Sequence, residues 1–102
     1  MSTTEQSQYG YVSDKEALIK RLHRIEGQVR GIERMVEDER YCIDILTQIA
    51  AVTTALDALG LKILGDHVSS CVAHAFASGD EKAAAEKSRE LLAAIERFTK
   101  TR

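Results

Sequence analysis

The sequence predicts an all-α protein of three helices per subunit, whose long middle helix pairs antiparallel with its copy in a second subunit. Three observations carry this. No proline occurs in the 102 residues, so nothing in the chain obliges a helix to break. Apolar residues recur in steps of four and three, the period of a helix face turned toward a partner. And Cys42, Leu46, Ile49, Thr53, Leu56, Gly60, Leu64, His67 and Cys71 share one such stripe, a seam of coiled-coil period that another helix must cover.

Residues 1 to 12 are polar and read as a flexible N-terminal tail, ahead of a single domain over 13–102. Ser13 with Glu16 three positions later has the pattern of a capping box, and Leu18, Leu22, Ile25, Val29, Ile32 and Val36 continue the apolar stripe from it. The first helix therefore runs to about Glu37, and Asp38-Glu39-Arg40 is a short connection. Helix two follows from about Tyr41 to Ala77. Its weak points are Gly60 and Gly65, where a hairpin would break if the helix did. Ser78-Gly79-Asp80 stops it and starts a third helix with apolar positions Leu91, Leu92, Ile95 and Phe98. The chain shows no repeat, low-complexity segment or second domain.

A chain of this length is at most one domain. With 5% aromatic residues and no Trp it lacks the bulk for a deep monomeric core, and a second subunit supplies the missing buried surface. No uninterrupted apolar run reaches the length of a membrane span, and MSTTEQSQYGYV has neither the charged start nor the apolar stretch of a signal peptide. The expectation is a cytoplasmic protein. Thiols stay reduced there, so the two cysteines read as ligands or sensors before they read as a disulfide.

A net charge of −2 and a pI near 5.9 argue against nucleic-acid binding by the chain as a whole. Local charge differs: between Lys15 and Arg34 six Lys or Arg residues face three Glu. On a helical wheel Arg21, Arg24 and Gln28 line one flank of the apolar stripe, Lys20 lies beside them, and Arg30 and Arg34 lie further round. A row of guanidinium groups contacts phosphates or reaches guanine edges in a groove. Charged helix faces also serve simply as solvated surface. What favours DNA is symmetry, since spaced copies of a modest patch match a palindromic site.

His67 and Cys71 stand at i and i+4, which puts an imidazole and a thiolate on one helix face, as two ligands of one metal. Cys42 is about 25 residues earlier, roughly 37 Å along an unbroken helix. One chain cannot close this site. Two chains crossing antiparallel near Ala55 and Leu56 can, because Cys42 of one subunit then faces the His67 to Cys71 turn of the other, twice per dimer. Two thiolates and one imidazole, with no carboxylate on the seam, form a soft set of low coordination number that suits Cu(I). Zinc would call for a fourth ligand; His74 is at hand but lies about 60° off the stripe. His23 sits among charged residues and reads as exposed. The bland alternative is that both cysteines are small hydrophobes on an apolar seam. No Ser/His/Asp set with plausible geometry, no phosphate loop and no acid pair in an evident pocket is found, so the chain is not expected to be an enzyme.

The segment RLHRIEGQVRGIERMVEDERYCIDILTQIAAV, followed by DHVSSCVAHA, closely resembles the copper-sensitive operon repressor (CsoR) family of bacterial metal-sensing transcriptional repressors. The resemblance spans about residues 13 to 98. It implies a subunit that pairs into an antiparallel four-helix-bundle dimer and then a flat homotetramer. It also implies Cu(I) held in trigonal geometry by Cys42 of one subunit with His67 and Cys71 of the other, and a GC-rich pseudo-palindromic operator bound by the apo-protein and released on Cu(I) binding. Tyr41 matches an outer-shell tyrosine, Glu90 an outer-shell glutamate, and Arg21 a DNA-contacting arginine. The family's second basic position falls at Ala58, with Asp57 beside it and Lys62 as the nearest cation. Nickel and cobalt sensors of the wider superfamily carry an additional N-terminal histidine, and this chain has none before His23. Two other functions fit the residues: a thiol-based repressor sensing reactive sulfur or aldehydes through Cys42 and Cys71, and a structural or metal-storing helical oligomer.

Overall fold

A computed structural model describes residues 9–100. All described secondary structure is helical. A 3-10 turn, Gly10–Asp14, leads into α1 (Lys15–Glu37). α2 (Cys42–His67) continues through a π turn (Val68–Val72) into the short α3 (Ala73–Ala77), and α4 (Glu81–Lys100) closes the chain. Helix two passes both Gly60 and Gly65 without a break, which disposes of the hairpin. The expected tail falls partly outside the described residues, and its last part forms the 3-10 turn.

The described residues divide into two compact units, one spanning Asp14–Lys62 and one joining residues 9–13 to residues 63–100. In the first, α1 and the larger part of α2 form an antiparallel hairpin. Its core is Leu18, Ile25, Val52 and Leu59, with Ile32 and Ala55 packed against it. Both series advance in steps of seven, so one stripe of each helix meets the other. An ion pair from Lys62 Nζ to Asp14 Oδ2, 2.9 Å, lies at the open end of the hairpin. This arrangement replaces the expected capping box. The N-cap of α1 is Asp14, and it makes no side-chain capping hydrogen bond. Two causes are visible: the 3-10 turn feeds the helix without a gap, and the Asp14 carboxylate is drawn to Lys62.

The turn from α1 to α2 is a Schellman motif. The Glu39 amide donates to the Val36 carbonyl (3.1 Å) and the Arg40 amide to that of Met35 (3.0 Å), around a left-handed Glu39 with φ 56°. The C-terminal end of helix two has the same left-handed residue, but there it is Gly79, φ 80°. Asp80 then caps α4, its Oδ1 accepting from the Lys82 and Ala83 amides at 3.0 and 3.2 Å.

In the second unit α4 packs on α3 and the π turn, with Val72 and Ala75 buried. Gly10 lies so close to this part of helix two that a Cβ on it would collide with the Asp66 carbonyl and Ser70 Cβ. The N-terminal turn therefore rests on the helical turn that carries His67 and Cys71. Tyr9 and Tyr11 flank it with nearly parallel rings 6.4 Å apart.

Much apolar surface stays uncovered. Among large hydrophobic side chains Leu22, Val29 and Val36 on α1 and Leu46, Ile49 and Leu56 on α2 are exposed. The helical run Cys42–Ala77, 36 residues, is by length and composition apolar enough to cross a membrane. This corrects the expectation that no apolar run approaches the length of a membrane span: Asp44, Asp57, Lys62 and Asp66 punctuate the segment without making it polar. A helix whose apolar seam is covered by a partner helix has the same composition.

Candidate metal centre

Cys42 is the first residue of α2, exposed, directly after the Schellman turn. His67 is the last residue of α2 and is half-buried. Cys71 is half-buried inside the π turn. Neither cysteine is in a disulfide. Among the described residues no three His, Cys, Asp or Glu side chains converge within a subunit, and Cys42 and His67 are the opposite ends of one unbroken helix.

The π turn changes the geometry expected from a straight wheel. The Ala73 amide donates to the Val68 carbonyl, five residues back, so the turn holds one more residue than an α turn. Four residues from His67 to Cys71 then fall short of a full turn instead of overshooting it. Both side chains stay on one side of the helix, but the phase of every later residue shifts. The regular stripe expected from Cys42 to Cys71 therefore holds only as far as His67. His74 lies beyond this shift, exposed on α3. Ser69 contributes locally, its hydroxyl donating to the Asp66 carbonyl at 3.4 Å and competing with the backbone ladder. Turns of this kind recur at functional sites.

The outlying candidates are placed as follows. Tyr41, next to Cys42, is 66% exposed. Glu90 is exposed on α4 and pairs with Lys87 at 3.3 Å. On α1, Arg21 is half-buried, while Lys20, Arg24, Gln28, Arg30 and Arg34 are exposed; Arg30 reaches Glu26 at 3.9 Å. His23 is exposed, as expected, beside Ile19 and Leu22 in a shallow concavity. The π turn, the close approach of Gly10 and the Lys62 to Asp14 bridge were not read from the sequence. A glycine between two tyrosines and a lone lysine on an otherwise acidic α2 were the signals available.

A family model described as metal-sensitive transcriptional repressor matches residues 14–97. The chain belongs to this family. The match takes in the whole of α1, α2, the π turn and α3, and most of α4. The copper-sensing transcriptional repressor RicR of Mycobacterium tuberculosis is 50% identical over 93 residues, covering 91% of this chain and 96% of that protein. The copper-sensing repressor CsoR of Bacillus subtilis is 50% identical over 88 residues, covering 86% and 84%. Among solved structures, CsoR with Cu(I) from Geobacillus thermodenitrificans superimposes with TM-score 0.79 at 47% identity, covering 85% of this chain and 88% of that one. The nickel-responsive regulator InrS gives TM-score 0.71 at 41% identity, covering 81% and 90%. The family is therefore the CsoR family recognised in the sequence, and these relatives are transcriptional repressors and regulators, not enzymes.

Proposed function

We propose that the protein is a Cu(I)-responsive transcriptional repressor of the cytoplasm, which binds operator DNA in its apo form and is released when Cu(I) occupies a site shared between subunits. The observation that carries this reading is the separation of the ligands on one helix, an exposed thiol at the start of α2 and an imidazole and a thiol within one turn at its end. The donor set fits the ion: two thiols outside any disulfide and an imidazole are soft ligands, and no carboxylate shares their seam. The copper-sensing relatives support the same choice.

Cys42 of one subunit with His67 and Cys71 of the other would hold the ion, and Tyr41 and Glu90 would orient the ligands from outside. The uncovered stripe of Leu46, Ile49 and Leu56, with Leu22, Val29 and Val36 on α1, supports an antiparallel four-helix-bundle homodimer. A homotetramer would then set several α1 helices side by side. Arg21, Arg24, Lys20 and Gln28, with Arg30 and Arg34 behind them, would meet a GC-rich pseudo-palindrome. Bound Cu(I) would supply a crosslink between the start of one α2 and the end of another. That crosslink favours one subunit packing, and linkage requires DNA to weaken Cu(I) binding by the same factor as Cu(I) weakens DNA binding.

Anaerobic fluorescence anisotropy on a preformed complex with a GC-rich palindrome tests the reading. The expected result is release at one Cu(I) per subunit, abolished in Cys42→Ser. Release by a persulfide donor but not by Cu(I), indifferent to His67→Ala, would instead establish a thiol sensor.

A further inference from the structure

Lys62 is the sole Lys or Arg of α2, among Asp44, Asp57 and Asp66, and its ammonium is placed against α1. There it pairs with Asp14 at 2.9 Å, with the two side chains 45% and 37% exposed. The position of Asp14 gives the pair its meaning. At about 100° and 1.5 Å per residue, Asp14, Arg21 and Gln28 repeat every seven residues along one flank of α1, Arg24 lies about 60° round from Arg21, and Asp14 is roughly 10 Å from Arg21 along the axis. The acids within α1, Glu16, Glu26, Glu33 and Glu37, all lie about 120° or more round the helix from Arg21, whereas the N-cap Asp14 lies about 20° from it. Asp14 is thus the one carboxylate on the basic flank, at its N-terminal end, where it would repel a phosphate backbone lying along the row. Ala17 and Gly31 occupy the same flank, and a Cβ at Gly31 would meet nothing within 4 Å, so no bulk there keeps a duplex at a distance.

We propose that Lys62 belongs to the DNA-binding face. It neutralises Asp14 in the free protein and takes a DNA phosphate in the complex, so that Asp14 competes with DNA for its ammonium. The inference rests on the reading of α1 as the DNA-binding element. A clamp holding the hairpin is the alternative role, but a pair this exposed to water holds little and exchanges partners readily. An ammonium on a flexible stem suits a contact that moves from a carboxylate to a nearby phosphate, because it acts as a point charge without a fixed fork geometry.

The test compares wild type, Lys62→Ala, Lys62→Arg and Asp14→Asn as apo-proteins. Each is titrated across a range of salt concentrations with a labelled GC-rich palindromic duplex selected from a random library by the wild type. Lys62→Ala is expected to weaken binding and to lower the slope of log K against log salt by about 0.9 for each subunit that touches the duplex. Lys62→Arg should keep the slope, and Asp14→Asn should tighten binding. If Lys62→Ala loses its fold by circular dichroism, Lys62→Met, which keeps the apolar stem, takes its place. A shift of Lys62→Ala and Asp14→Asn in the same direction, or an unchanged slope in Lys62→Ala, would make the pair a clamp and overturn the inference while leaving the repressor reading intact. A wild type that selects no duplex would overturn that reading and this inference with it.

Discussion

The two ends of helix two are built to different standards. At its start Cys42 stands alone and exposed on regular α-helix, behind a Schellman turn whose left-handed position holds Glu39, a residue that pays a steric cost there. At its end His67 and Cys71 are half-buried within one widened turn, with the Gly10 turn resting beside it and α4 packed on the turn itself. One end presents a single thiol; the other carries an imidazole and a thiol within one turn. A site shared as proposed would have most of its preorganisation in one half, and the partner subunit would have only to deliver a thiol.

Removing a donor from either end is the largest perturbation. Cys42→Ser and Cys71→Ser should each cost more Cu(I) affinity than the roughly 10- to 100-fold that altering an outer partner costs, measured by competition with a Cu(I) chelator. Unequal losses, with Cys42→Ser nearly silent, would break the comparison by making the C-terminal half sufficient alone. Deleting Ser70 comes next. It should restore a plain α turn, raise thermal stability and cut Cu(I) affinity at least tenfold, because Cys71 loses its present angle to His67. Unchanged affinity would mean that the π turn is incidental.

Tyr41→Phe removes only a hydroxyl from the residue that precedes Cys42 and should weaken Cu(I) binding by about tenfold, the low end of that range, with DNA affinity unaltered in the apo-protein. Smallest is the helix-end pair. Glu39→Gly should stabilise the fold by about 1 kcal/mol and Gly79→Ala destabilise it by a similar amount, read by urea denaturation. Opposite signs at equivalent positions of two helix ends are the discriminating outcome.

Much of the fold was legible because periodicity is a property of the chain. Leu18, Ile25 and Ile32, at steps of seven, marked the stripe that meets Val52 and Leu59, and Ser78-Gly79-Asp80 marked a stop and a start that both formed. The proposed ligands Cys42, His67 and Cys71 stood out in the sequence for a simpler reason, the rarity of Cys and His. What was lost needed tertiary context. Ser13 and Glu16 had the pattern of a capping box, but Lys62, distant in sequence, took the Asp14 carboxylate and a 3-10 turn filled the helix start. Nothing in Val68-Ser69-Ser70-Cys71-Val72 announces an extra residue per turn. The apolar length of helix two escaped notice because charges punctuate it, although they leave its seam continuous.

The central claim is that each metal site is shared between subunits, and complementation measures it most directly. Cys42→Ser and Cys71→Ser subunits, each with its own affinity tag, are co-expressed and the heterodimer is isolated by successive purification on both tags. The Cys42→Ser subunit keeps His67 and Cys71, and its partner keeps Cys42, so one complete site survives. The account predicts one tightly bound Cu(I) per heterodimer and none in either homodimer; a heterodimer as defective as its parents would contradict it.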